Sequence, residues 1–201
     1  EMQRSLVGSE MCIRDRIEGA KRIGKSTICE EFGKNEYESY LLIDFAKKDK
    51  EVEMYFEQYL NDLDTFFMLL QTHFGTKLTE RNSLIIFDEV QMFPQARAAI
   101  KYLVADGRYD YIETGSLISI RENVKNIVIP SEERNINMYP LDFEEFAIAL
   151  EEDLLVEYIK KCFEKREPLE RSMHNQAMLL FHQYMLCLLY TSPSPRDYAA
   201  S

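Results

Sequence analysis

Residues 19–27, Gly-Ala-Lys-Arg-Ile-Gly-Lys-Ser-Thr, satisfy the pattern G-x-x-x-x-G-K-[ST]. Each part has a chemical reason. Gly19 and Gly24 let the backbone turn tightly, so that N–H groups along Ala20, Lys21, Arg22 and Ile23 point at phosphate oxygens. Lys25 is long enough to reach the β- and γ-phosphates, and the Ser26 hydroxyl is a hard oxygen ligand for Mg²⁺, with Thr27 completing the run. A glycine-rich turn that matches by accident is the competing explanation. The setting favours phosphate binding, because Ile17-Glu18 reads as the end of a strand and residues 25–32 as a helix opening directly after the loop.

A second constellation follows downstream. Ser83-Leu84-Ile85-Ile86-Phe87 is an apolar strand that delivers Asp88 and Glu89 at its carboxyl end, the Walker B pattern. Asp88 is expected to hold Mg²⁺ and Glu89 to polarise an attacking water. Alone, such a strand ends as well in a solvated acidic turn; behind a complete phosphate loop the catalytic reading prevails. Another strand runs into Thr114-Gly115-Ser116. Its Thr114 hydroxyl either contacts the γ-phosphate or the lytic water, or closes a strand-to-loop turn. Glu113 stands in that otherwise apolar strand, and nothing in the sequence accounts for it.

These residues call for elements that hold them together. Residues 40–46 form an apolar run ending in charge, as a buried parallel strand does. The spacing predicts helices over 51–60 and Leu63–Phe74, with Asp62 and Asp64 as N-caps. A helix over 95–106 presents Ala96, Ala99, Ile100 and Leu103 and stops at Gly107; the helix over 25–32 is expected to stop at Gly33 as a left-handed cap. Strands are expected over 109–114 and 126–129, with a short extended piece over 135–139. Helices over 142–150, 153–166 and 170–186 complete the pattern. Strands alternating with helices imply an α/β fold, a doubly wound parallel sheet followed by an α-helical segment. Phe66, Phe67, Leu70 and Phe74 read as core, and Glu144-Glu145 and residues 164–167 as solvated runs.

Composition narrows the classes. Apolar residues make up 46% of the chain, enough for a sizeable core, and the net charge of -11 argues against a non-specific binder of phosphate backbones. Cys29 and Cys162 follow no disulfide or zinc pattern and suggest reduced thiols in a cytoplasmic protein. His73, His174 and His182 lack ligand spacing, and no uninterrupted apolar run is long enough for a transmembrane span.

The two ends carry their own signal. One DNA segment, read on opposite strands, encodes both LVGSEMCIRDR (residues 6–16) and CLLYTSPSPR (residues 187–196), as a transposase-type sequencing adapter would. Residues 1–16 and 187–201 are therefore expected to be adapter-derived, and cysteines 12 and 187 with them. Residues 17–140 are expected to form the nucleotide-binding core and 141–186 a helical extension that begins a truncated C-terminal region. Arg14, Asp15 and Arg16 then stand where a buried central strand should supply apolar residues. Unpaired, they are expected to weaken folding or ATP binding relative to a native-ended parent.

Four segments carry a resemblance: GAKRIGKST (19–27), LIIFDEVQMFP (84–94), ETGSLIS (113–119) and MYPLDFEEF (138–146). Residues 17–186 resemble prokaryotic AAA-type P-loop ATPases that usually carry a C-terminal domain of unknown function. The resemblance implies a doubly wound sheet, ATP as substrate, Mg²⁺ as cofactor, and a sensor role for Thr114. Gln91 fits the family pattern without an evident role. Arg134 precedes the PLDFEEF-like segment, where an arginine is common; it reads as a surface residue before it reads as a γ-phosphate contact. A protein or DNA partner would bind through the family's C-terminal region, which lies outside the sequence. ATP hydrolysis driving conformational change is the leading expectation. A P-loop kinase of small metabolites and a slow nucleotide-gated interaction module are the alternatives, and Glu89 weighs against the kinase because a kinase must keep water from attacking.

Overall fold

A computed structural model describes residues 14–116 and 134–191. The expected strand over 126–129 and residues 117–119 of the ETGSLIS segment lie outside them. The described residues fall into two compact units, 14–19 with 24–116 and 134–138, and 20–23 with 139–191.

The first unit is an all-parallel sheet with helices on both faces. Its strands are β1 (Arg14–Gly19), β2 (Ser39–Asp44), β3 (Ser83–Asp88), β4 (Asp110–Gly115) and β5 (Arg134–Met138), in the order β2-β3-β4-β1-β5. Helix α1 (Lys25–Glu36) connects β1 to β2, α2 (Lys50–Gln58) and α3 (Leu63–Phe74) precede β3, and α4 (Pro94–Asp106) leads into β4. Every residue of β3 is buried, as expected for a strand covered on both faces.

Strand alternation sorts the core into two layers. Ile85, Phe87 and Tyr111 point to one face and pack with Phe45, Phe56, Phe66, Phe67 and Ile100. Leu84, Ile86, Ile112 and Ile17 point to the other and meet Cys29 and Phe32 of α1. The first layer is aromatic: the Phe56 ring lies 5.0 Å from Phe66 and 5.7 Å from both Phe45 and Phe87, all edge to face. Such pairs contribute roughly 0.5–1.5 kcal/mol each beyond their burial.

Helix starts and stops follow local chemistry, with corrections to the sequence reading. Asp62 caps α3 as expected, accepting from the Thr65 N–H, but Asp64 does not cap; it pairs with Arg108 at 2.6 Å. Asp49, not anticipated, caps α2 by accepting from the Glu51 and Val52 N–H groups. Gly107 ends α4 with φ 76°. Gly33, by contrast, does not end α1, which runs on to Glu36. A Cβ at Gly33 would stand 2.9 Å from Tyr40 Cβ, so the glycine is required by close packing of helix on strand and not by a left-handed cap.

β1 begins within the segment read as adapter and buries Asp15 and Arg16, which are 3% and 4% exposed. The expectation of unpaired charge is corrected for Arg16, whose Nη2 lies 2.8 Å from Glu18 Oε1 two residues along the same face. Asp15 keeps one buried oxygen, Oδ2, without a hydrogen-bond partner among the described residues. Burial holds its carboxyl above the usual range, partly offset by Arg134.

The second unit contains α5 (Phe143–Ala149), α6 (Asp153–Lys165) and α7 (Arg171–Thr191). Asp142 and Glu145 form a reciprocal capping box at the start of α5. Glu145 therefore serves the helix start, and Glu144 pairs with Lys160. Ala147, Leu155, Val156, Ala177 and Leu180 form the unit's small core.

Candidate functional site

The site residues are assembled by the carboxyl ends of β1, β3 and β4. In open parallel sheets this edge is where ligands bind, because strand ends and helix N-termini converge there. β1 ends at Gly19, and α1 begins at Lys25. Between them Arg22 has φ 65° and Gly24 φ 92°, ψ 16°. The nearest atom to a Cβ added at Gly24 would be Met138 Cε at 3.8 Å, so space is available and the left-handed conformation is what calls for glycine. Lys21, Arg22, Gly24 and Thr27 are exposed, Ala20, Ile23 and Ser26 half-buried, and Gly19 and Lys25 buried.

Lys25 starts α1 and turns its Nζ back to the Gly19 carbonyl oxygen at 3.3 Å. One residue on, the Ser26 hydroxyl donates to Asp88 Oδ2 at 2.7 Å across 62 residues of sequence. Thr114, fully buried near the end of β4, donates its hydroxyl to Asp88 Oδ1. Its oxygen in turn accepts from the Glu89 backbone N–H at 3.3 Å. Both carboxylate oxygens of Asp88 are thus engaged by hydroxyls from two different elements.

Glu89 leaves β3 in a left-handed conformation, φ 51°, ψ 44°, and opens the short 3-10 turn Val90–Met92. That backbone is unfavourable for a residue with a Cβ and turns Glu89 away from the alternation of the strand. Gln91, in the turn, donates its amide nitrogen to Glu89 Oε2. Cys29, one turn beyond Lys25, is fully buried; burial and the nearby Asp88 charge push its thiol up to about 12, so it stays a neutral packing group.

Lys25, Ser26, Asp88, Glu89 and Thr114 therefore stand together with Gly19, and Gln91 joins them. Arg134 does not. It begins β5, opposite Asp15 in register, whereas Gly19 pairs with Met138 at the other end. Four residue-to-residue steps separate the two ends of β5, roughly 13 Å at ordinary strand rise. Glu113, unexplained by sequence, is ion-paired with Arg97 of α4, and both side chains are nearly inaccessible (0% and 2%). The available signal was Arg97 itself, a charge among the apolar positions Ala96, Ala99 and Ile100 of an otherwise regular helix. An open groove of about 510 Å³ runs along β2, lined in part by Tyr37, Tyr40, Leu42 and Phe74, and includes none of these residues.

A parallel sheet with a glycine-bearing loop between β1 and α1, and an acid pair ending β3, defines the P-loop nucleotide-binding class. The AAA domain family matches residues 16–147, more than half of the chain, and the chain belongs to that family. Nucleotide binding and hydrolysis are the family's general chemistry. A closed-state cryoEM reconstruction of Hsp104 with ATPγS and FITC-casein is similar in fold, with a TM-score of 0.50 and 14% identity over 78% of this chain and 28% of that one. A structure of C. elegans PCH-2 matches at a TM-score of 0.38 and 12% identity, over 81% of this chain and 44% of that one. The chain thus spans less than half of either protein. No curated protein matches it. Among the described residues no helix is long and apolar enough to cross a membrane.

Proposed function

We propose that this chain binds ATP with Mg²⁺ and hydrolyses it to drive conformational change, with residues 17–140 as the catalytic core and 141–186 as a helical extension. The observation that carries the proposal is the 2.7 Å bond between Ser26 and Asp88, which brings the hydroxyl of the phosphate loop to the acid that ends β3. A hydroxyl and a carboxylate are hard oxygen donors, and one or two such groups suit Mg²⁺, which keeps several waters and shares phosphate oxygens. Ser26 and Asp88 are the residues that would hold the ion. When bound, it would offset the charge on the phosphates.

The remaining roles belong to the chain's own groups. Backbone N–H groups of residues 19–24, with the start of α1, bind the phosphate oxygens, and Thr27 continues the helix behind them. Lys25, held at the Gly19 carbonyl, is long enough to reach the β- and γ-phosphates and would neutralise charge that develops on the γ-phosphoryl group. Glu89 accepts the proton of a water attacking the γ-phosphorus in line, while the bond from the β-phosphate bridging oxygen breaks and ADP leaves. Thr114 orients Asp88 and, through the Glu89 N–H, the start of the base-bearing turn.

Steady-state phosphate release by the full chain and by Glu89→Gln tests this mechanism. A fall of about 100-fold or more is expected from loss of a general base. Equal release by the two proteins would remove Glu89 from the role. Phosphate appearing on a small-molecule acceptor instead of in solution would identify a kinase.

A further inference from the structure

The structure points to a role for Gln91, which neither the motif nor the mechanism above employs. Gln91 is 6% exposed, and its amide nitrogen donates to Glu89 Oε2. An ionised carboxylate only accepts hydrogen bonds, so the amide must present its nitrogen to Glu89 and turn its oxygen elsewhere. That oxygen, Oε1, is buried and has no hydrogen-bond partner among the described residues. Buried amide oxygens are ordinarily satisfied, and leaving one unmet is unfavourable. A side chain selected for stability alone at this position would be apolar. What holds Gln91 in place is the charge-assisted bond to the carboxylate of Glu89.

Geometry explains why that bond matters. Glu89 has three side-chain torsions and is half-buried at the mouth of the strand, with its backbone already fixed by the left-handed turn and by the Thr114 contact. Without a further tether the carboxylate would sample several rotamers. The Gln91 bond engages one carboxylate oxygen and leaves the other to take the proton of a water. The two residues are joined by a short 3-10 turn, which limits their relative movement.

We propose that Gln91 is a positioning residue that acts through Glu89, fixing the carboxylate in line for hydrolysis. The inference rests on Glu89 being the base. A misplacement of about 1 Å at such a group can lower turnover on the order of 100-fold.

The test uses Gln91→Met in the full chain, which keeps the volume, removes the donor and also removes the unmet oxygen. Turnover is expected to fall about 10- to 100-fold, with KM for ATP and affinity for a fluorescent ATP analogue within about two-fold of wild type. The thermal midpoint should hold or rise, since an unsatisfied buried oxygen disappears. In a Glu89→Gln background, Gln91→Met should cause no further loss of the residual rate. Gln91→Glu, which sets a second carboxylate against Glu89, should also lose turnover and serves as the readout if the methionine variant does not fold. Wild-type turnover in both Gln91 variants, or an equal fold-loss from Gln91→Met in both backgrounds, overturns the inference. Full activity in Glu89→Gln alone instead refutes the reading beneath it, and the two failures are separable in one set of assays.

Discussion

Glu113 and Thr114 are neighbours in β4, equally buried, yet they serve different parts of the molecule. Their side chains point to opposite faces of the sheet, as adjacent strand residues must. Glu113 faces the aromatic layer and closes on Arg97, with Arg16 of β1 opposite it in register. Thr114 faces α1 and closes on Asp88, which also receives Ser26. The first arrangement is sealed, an acid and a base neutralising each other in a dry interior. In the second, one acid accepts from two neutral hydroxyls, which do not cancel its charge. The contrast teaches that burial and charge alone do not tell a structural pair from a candidate site; the chemistry of the groups that meet the acid does.

The largest effect is expected on the sealed side. Arg97→Met leaves Glu113 buried without its guanidinium, which should destabilise the chain by about 3–5 kcal/mol in chemical denaturation. ATP hydrolysis per folded molecule should be unchanged. A variant of wild-type stability would show the pair to be dispensable; a folded variant with lost turnover would merge the two sides into one site.

On the other side, Thr114→Val should cost about 1–3 kcal/mol, because the Asp88 carboxylate and the Glu89 N–H each lose a partner. Its larger effect should be on turnover, about 10-fold or more, with ATP affinity nearly retained. A loss of stability with full turnover per folded molecule would place Thr114 with Glu113 as a structural residue.

Gly33→Ala probes the support beneath the site. Its Cβ would stand 2.9 Å from Tyr40 Cβ and 3.4 Å from Leu84 Cδ2. Helix α1 must then shift from the sheet at a penalty of about 1–3 kcal/mol. Denaturation that matches wild type would show the helix to sit more loosely than described.

The smallest effect concerns Asp15. Burial raises its carboxyl in the folded chain above the ordinary 3.8, with Arg134 working the other way. A raised folded value means that the protonated acid favours folding. That contribution is complete below the unfolded value of about 3.8 and is lost as pH rises through the folded value. Asp15→Asn should therefore be neutral in acid and modestly stabilising at about pH 7, seen as a higher thermal midpoint. A lower midpoint near neutral pH would show that the Arg134 attraction outweighs burial.

Much of this was legible in the sequence, for identifiable reasons. β3 and β4 announced themselves as apolar runs, and Leu63–Phe74 as a helix with an aspartate cap, because local chemistry and tertiary packing agree there. The helix after the phosphate loop was read one turn short because Gly33 carries the same letter as a cap glycine, while its actual constraint lies in Tyr40 and Leu84, distant in type and position. The nucleotide-site residues were nominated by spacing, but the convergence of Ser26 and Thr114 on one carboxylate depends on strand order β3-β4-β1, which spacing does not encode. Glu113 resisted explanation for the same reason, since its partner lies on a helix packed over the sheet.

That Ser26 and Asp88 form a cation and nucleotide centre is tested most directly by the thermal midpoint of wild type and Asp88→Asn with ATP alone and with ATP plus Mg²⁺. A ligand raises the midpoint according to how tightly it binds the folded chain. Wild type should gain further stabilisation when Mg²⁺ joins ATP, and Asp88→Asn should gain little. The same added shift in both proteins would contradict the account.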